Sequence, residues 1–289
     1  MKRRIHEHKD HSEVAASLCS LAQVYMVQGR WRESASLQEE ALAMKTRIHA
    51  RRDHSDVAVS LCSLAQVYRL QGRFDDSILL QEESLAMKRR IHGQSPHSDV
   101  AVSLCSLAQV HRAQGRLDKS AQLEEESLAM ERRIHGPDTD HRELAASMWS
   151  LAQVYRAQGK LAWSALLEEE SFAMSQRIHG HKDHYDLAAS LGSLAQLYWA
   201  QRLYKKSLTF QRESVAMLRR IHGPSGHSDL AAALGSLAQM YRARGRLIVS
   251  ALLEEESLAM LRRMHGTQNH TEALRSGNGG VPPHQSGRS

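Results

Sequence analysis

The chain is short of proline, cysteine and aromatic residues: 5 prolines, 3 cysteines and 3 phenylalanines in 289 residues. So little proline leaves long helices uninterrupted. Three cysteines exclude a disulfide-built scaffold. Cys19, Cys62 and Cys105 recur at one position of a repeat. Packed helices lie roughly 8–10 Å apart, beyond the Cα reach of a disulfide, so reduced thiols and a cytoplasmic setting are expected. No stretch approaches about 18 uninterrupted apolar residues, so no membrane span is expected. The start, Met1 to His6, has no apolar segment of the secretory kind. There is no glycine-rich phosphate loop and no H-E-x-x-H motif. His54-Ser55-Asp56 names three residue types of a hydrolytic triad, but sequence neighbours at a helix start serve capping. No catalytic residue, enzyme activity or cofactor is expected.

What is present is repetition. His11, His54, His97, His141, His184 and His227 head six near copies, 43 residues apart with one step of 44. A fixed period of this length is the mark of a stacked array. The extra residue falls in Pro137-Asp138-Thr139-Asp140 and places the loop between repeats there. Within a repeat, Val57, Leu61, Leu64, Ala65 and Tyr68 lie on one helical face. Ser55 is the expected N-cap, with Asp56 at the positive end of the helix dipole. Gly72 breaks the pattern, and a second helix opens at Phe74 and stops at Gly93. Lys88, Arg89 and Arg90 near its end oppose the dipole. Each repeat is thus two antiparallel helices, A and B. One hairpin cannot bury its own apolar face, so stacking must supply the core. The chain is 42% hydrophobic and 24% charged, which suits one continuous solenoid domain.

These residues resemble the tetratricopeptide repeat, and more narrowly the long repeats of kinesin light chains and nephrocystin-3-like proteins. His54-Ser55-Asp56-Val57-Ala58, Leu61, Leu64-Ala65, Tyr68, Gln71-Gly72-Arg73-Phe74 and His92-Gly93 match that pattern in order, and the match recurs over residues 11–266. The resemblance implies an all-α, right-handed α-solenoid of six antiparallel helix pairs that serves as a protein-interaction scaffold. Departures are specific. The family's paired asparagines are Cys62-Ser63, and Ser63 is a poorer contact for peptide backbone. Helix-B alanines become Ser77 and Ser84, still small enough for close packing. The helix-B aromatic becomes Gln81, which should loosen packing between repeats. Arg202 replaces the turn glycine at a cost of roughly 1 kcal/mol if left-handed, marking repeat 5 as a soft joint.

The domain reading follows. Residues 1–10 are the tail of an incomplete helix B and its loop. Residues 11–269 are six repeats of about 43 residues. Residues 270–289 are an abandoned helix start, from His270, and a disordered tail. Neither end carries a polar capping helix, so the chain is expected either to be a piece of a longer array or to cover its ends by association.

The candidate binding surface is a second stripe on helix A, through Val59, Cys62, Gln66 and Arg69. In tetratricopeptide arrays this stripe lines the concave groove. One position across the repeats reads Gln23, Gln66, Gln109, Gln153, Gln196 and Gln239, an amide ladder suited to an extended peptide backbone. Three residues on stand Arg69, Arg112, Arg156 and Arg242, with Met26 and Trp199 in repeats 1 and 5. Arginine there favours carboxylate or phosphate. Trp149 and Trp199 are the expected hot spots. The implied partner is an extended acidic segment of a protein. The alternative is a structural or assembly module that associates through its uncapped ends.

Net charge is +6, from Lys and Arg at the end of every helix B. Runs such as Glu124–Glu126 and Glu168–Glu170 break up that field, and no RNA-reading code or stacking platform is apparent, so neither nucleic acid nor membrane is an expected partner. There are 18 histidines, and His92 and His97 flank a recurring loop. No cysteine or carboxylate is expected to complete a tetrahedral set with them, so no metal is expected.

Overall fold

A computed structural model describes residues 11–136, 139–180, 182–223 and 227–276, with side chains through Met264. The predicted helix tail and loop over residues 1–10 lie outside the described residues, as do residues 277–289 of the tail. Twelve helices and no strands stand among the described residues. They are α1 (Ser12–Val27), α2 (Trp31–Ile48), α3 (Ser55–Leu70), α4 (Phe74–His92), α5 (Ser98–Ala113), α6 (Leu117–His135), α7 (Arg142–Ala157) and α8 (Leu161–His179). Then come α9 (Tyr185–Ala200), α10 (Tyr204–His222), α11 (Ser228–Ala243) and α12 (Leu247–Ser276). The continuous domain expected from the sequence divides into two compact bodies, one ending at residue 178 and one beginning at residue 179. A stack holds together only through neighbouring interfaces, so cohesion need not be uniform along it.

The helix starts correct the capping assignment. His54, not Ser55, is the N-cap of α3: its backbone is extended (φ −147°, ψ 139°) and its Nδ1 accepts from the Asp56 amide at 3.1 Å. His97 does the same for Asp99 at 3.2 Å, and in the C-terminal body His184 and His227 do it for Asp186 and Asp229. An imidazole nitrogen lone pair serves as well as a hydroxyl oxygen for an orphan first-turn N–H. His141, at the start of α7, makes no such bond.

Stacking supplies the core as expected. Ile78 and Leu85 of α4 pack with Val100, Leu104, Leu107 and Val110 of α5, so helix B of one repeat seals helix A of the next. Leu128 of α6 meets Leu144, Met148 and Leu151 of α7 in the same way. Each such side chain stabilises by about 1.5–3 kcal/mol when fully removed from water.

Serines staple each hairpin, which the sequence pattern did not announce. Ser77 Oγ donates to the Ala65 carbonyl at 2.7 Å, and Ser84 Oγ to the Ala58 carbonyl at 2.7 Å. The later serine reaches the earlier alanine, so the helices run antiparallel. Ser120 with Ala108 and Ser127 with Ala101 repeat this in α5/α6. Ser207 with Ala195 and Ser214 with Ala188 repeat it in α9/α10. The alanines have no side chain to hold the helices apart, and the serines use the resulting approach.

The turn at Gly72 is left-handed (φ +75°), and Arg202 adopts the same region (φ +63°), so the strain expected there is present. Gln81 does not leave a loose spot. It is buried, as are Gln38 and Gln211, and the Gln211 amide donates to the Ala233 carbonyl of α11 at 2.9 Å. Lys88, read from the sequence as a partner of the helix dipole, is also buried. Its ammonium donates to Ser103 Oγ at 2.8 Å and the Asp99 carbonyl at 3.3 Å. At the far end α12 runs through Gly266 without the expected stop, so His270 continues a helix instead of starting one.

Candidate functional site

In the N-terminal body the outward stripe of helix A is present. Gln23, Gln66 and Gln109 are exposed at matching positions of α1, α3 and α5, and Val59 and Val102 stand beside them at 52% and 57% exposure. Arg112 is exposed and Arg69 half-buried. Trp149 of α7 offers an indole at 44% exposure. Gln153 departs from the ladder. It is buried, donates to Glu168 Oε1 at 2.9 Å and accepts from Arg156, which occupies both groups within the fold. In the C-terminal body Gln196 and Gln239 are exposed, Arg242 pairs with Glu254 at 3.3 Å, and Trp199 packs edge-on against Tyr204 at 4.8 Å. Cys62 is turned away from the open stripe, half-buried against Ser84 at 3.0 Å and Gln81 at 3.4 Å. Cys105 sits in the same setting, and burial, reinforced by Glu124, pushes its thiol up to about 12.

The glutamate runs are not wholly surface. Glu124 is buried, accepting from Ser150 Oγ at 2.6 Å and Cys105 Sγ at 3.3 Å. Burial raises its carboxyl above the usual range against those bonds. Glu168 is buried as well, and only the later members of each run face solvent.

The loops between repeats hold a feature that sequence reasoning dismissed. The histidine at the end of helix B stacks on the one that precedes the next helix A: His49 on His54, His92 on His97 and His135 on His141, with ring centroids 3.5, 3.5 and 3.4 Å apart. His179 with His184 and His222 with His227 do the same in the C-terminal body. No carboxylate is expected from the sequence to complete a tetrahedral set with them, yet one does stand beside each pair. The residue two after the cap, Asp56, Asp99, Glu143, Asp186 or Asp229, brings a carboxylate oxygen within 4.8 Å of both imidazoles in its loop. The signal was in the sequence as His-x-Asp or His-x-Glu. Its meaning depended on the loop folding back onto the preceding histidine.

Beneath these loops the helix-B position one turn earlier varies. It is Lys45, then Lys88, then Glu131. Lys45 donates to Ser60 Oγ at 2.8 Å, as Lys88 does to Ser103. Glu131 is 3% exposed, its Oε2 lies 3.1 Å from His135 Nε2, and burial pushes its carboxyl up. Outside the loop, Arg177 donates to Asp140 at 2.8 and 2.9 Å, and Arg90 to Asp53 at 2.7 and 2.8 Å. These bonds hold both aspartates below the ordinary carboxyl range.

The tetratricopeptide repeat family model matches residues 13–90, 99–177 and 185–263, two helix hairpins in each stretch. The chain belongs to the tetratricopeptide repeat family. Among solved structures, BtubC (BKLC) from P. vanneervenii is similar at 19% identity over 90% of this chain and 96% of that one, with a TM-score of 0.69. A putative kinesin light chain with nearly identical repeats from Podosopora anserina is 23% identical over 74% of this chain and 99% of its own, with a TM-score of 0.63. The tetratricopeptide sensor protein of the signal-transduction ATPase class from Pyrococcus horikoshii is 13% identical over 88% of this chain and 38% of its own, with a TM-score of 0.65. No curated protein sequence matches. At these identities the likeness concerns the fold, and it places this tetratricopeptide array beside kinesin light chain-like arrays. No described helix is long and apolar enough to cross a membrane.

Proposed function

We propose that this tetratricopeptide array is a non-catalytic protein–protein interaction scaffold that binds an extended acidic segment along the helix-A stripe, the concave face in this family. The observation that carries this reading is the exposed ladder Gln23, Gln66 and Gln109, set beside exposed Val59 and Val102. Side-chain amides at a fixed spacing suit the repeating N–H and C=O groups of an extended chain. Arg69 and Arg112 add positive charge next to the ladder, and the net charge of +6 draws an acidic partner toward the array. Trp149 supplies an apolar anchor in the N-terminal body, and Gln196, Gln239 and Arg242 offer the same chemistry in the C-terminal body. Gln153 and Arg156 contribute less, because each satisfies the other.

The test is titration of labelled acidic peptides, with and without an aromatic residue, into the purified chain at low and moderate salt. The charge reversals Arg69→Glu and Arg112→Glu together should weaken binding by at least tenfold. Raised ionic strength should weaken it as well. Unchanged affinity in that variant would sink the reading.

A second reading, assembly through an apolar face, is favoured by α12. Its Leu247, Ile248, Leu252 and Leu258 are 63%, 80%, 60% and 47% exposed. Apolar side chains recurring on one helix suit contact with another protein surface. Association that persists at high salt, with peptide binding absent, would move the weight to this reading.

A further inference from the structure

We infer that Glu131, His135, His141 and Glu143 form a binding site for a divalent transition metal, with zinc the best match. Four ligand-type atoms gather here in two close pairs: Glu131 Oε2 lies 3.1 Å from His135 Nε2, and His141 Nδ1 lies 2.5 Å from Glu143 Oε2. Two imidazoles set between two carboxylates present lone pairs that a single cation satisfies together. Each is an atom that ligates zinc.

The backbone explains the gathering. Glu131 and His135 are four apart on α6 and share a face. The loop after Gly136 returns His141 to the start of α7, and Glu143 follows two residues on. His135, His141 and Glu143 each bring one ligand atom within 4.8 Å of the others. Glu131 Oε2 lies 3.1 Å from His135 Nε2, within ion-pair distance. Zinc takes histidine nitrogen at about 2.0–2.1 Å and carboxylate oxygen at about 2.0–2.2 Å, so neighbouring ligands of a tetrahedral ion stand about 3.3 Å apart. The observed separation is close to that. The rings of His135 and His141 are stacked at 17°, and one of them must turn for its lone pair to converge with the other. Binding is therefore coupled to opening of the stack.

Charge and capping single out this loop among its copies. Its two carboxylates match the charge of the ion. The corresponding ammonium of Lys45 or Lys88 in the preceding loops would repel it. His54 and His97 spend Nδ1 on the first-turn amide, whereas His141 Nδ1 is not so used. Asp99 and its two histidines offer three ligands beside a cation, and Glu143 and its two histidines gain a fourth ligand from the helix below.

The experiment is equilibrium dialysis of the purified, chelator-stripped chain against zinc, with metal content read directly. Cobalt substitution reports geometry through visible absorption. The expected result is one tightly held zinc per chain and the intense visible bands of tetrahedral cobalt. Glu131→Lys, which copies the Lys88 loop, and Glu143→Gln should each lower that affinity by at least about 100-fold. Glu143 is half-exposed, so its variant remains decisive if Glu131→Lys fails to fold, which circular dichroism will show. No zinc uptake by the parent chain, or uptake unchanged in Glu143→Gln, overturns the assignment.

Discussion

The loop after α4 and the loop after α6 are nearly the same sentence, Lys88-Arg-Arg-Ile-His-Gly and Glu131-Arg-Arg-Ile-His-Gly. One residue differs in that run, and it changes what lies beneath the histidine stack. After α4 an ammonium fills the space and finds the Ser103 hydroxyl and the Asp99 carbonyl. After α6 a carboxylate fills it and lies 3.1 Å from His135 Nε2. The second loop is also one residue longer and loses the histidine cap. In a duplicated array, the copies act as controls for one another. What all copies share is fold, and what one copy changes is where a separate function can enter.

The largest effects should be those the two regions share. Leu104 and Met148 occupy the same core position on the helices that follow the two loops, at 0% and 1% exposure. Truncation of either to alanine should cost about 3 kcal/mol, from lost burial and the cavity left behind. Chemical denaturation checks this. A much smaller cost at Met148 would mean that the interface after α6 is looser than its buried contacts indicate.

Next come the buried charges, where the two loops should diverge. Lys88→Ala should destabilise by about 2 kcal/mol, because Ser103 and the Asp99 carbonyl lose a charged donor. Glu131→Gln should stabilise by about 1 kcal/mol at pH above the raised carboxyl value, with chelator present, because it removes a buried ionised group. The pH dependence carries the sign. Glu131 has a raised carboxyl, so the folded state holds its proton more tightly than the unfolded state does. Stability from this group is highest below the ordinary carboxyl value of 4.5 and falls as pH rises through the raised value. The advantage of the glutamine variant should therefore appear above that value and vanish below it. Zinc should reverse the order, stabilising the parent chain and not the variant.

The hairpin, its period and its turn were legible because they rest on local chemistry. A glycine at a left-handed turn and a 3.6-residue apolar period state their own structure. Most of the amide ladder was legible too, since residues that keep one register on one helix face share their exposure. What the sequence hid was pairing across elements. Ser84 reads as a small residue until Ala58 is seen opposite its hydroxyl. Gln153 reads as one rung among six until Glu168 and Arg156 are seen to hold it. The carboxylates of the loops read as dipole partners of a helix start, because their second neighbour lies on the previous helix. The stapling serines offer an intermediate check on that lesson. Ser84→Ala and Ser127→Ala should each cost about 1 kcal/mol, with equal values on the two hairpins, since these bonds do not distinguish them.

The smallest effect should come from the ion pair that flanks the second loop and is missing beside the first. Asp140 precedes His141 and accepts two bonds from Arg177, whereas the matching residue before His97 is Pro96, which has no acid to offer. Arg177→Gln should therefore lower the denaturation midpoint slightly, because both partners are exposed and the attraction is screened. Asp140 is held below the ordinary aspartate value of 3.8, so the contribution of the pair is fully present above that value and is lost as pH falls through the lowered one. It should also fade in about 1 M salt, where screening acts over about 3 Å. Replacing Pro96 with aspartate offers Arg133 the same partner by register, and a gain in midpoint that is abolished by salt would show that the pair follows the loop residue alone. A shift that survives both acid and salt would mean that Arg177 acts through packing of its stem, and the difference between the two loops would then lie in their backbones.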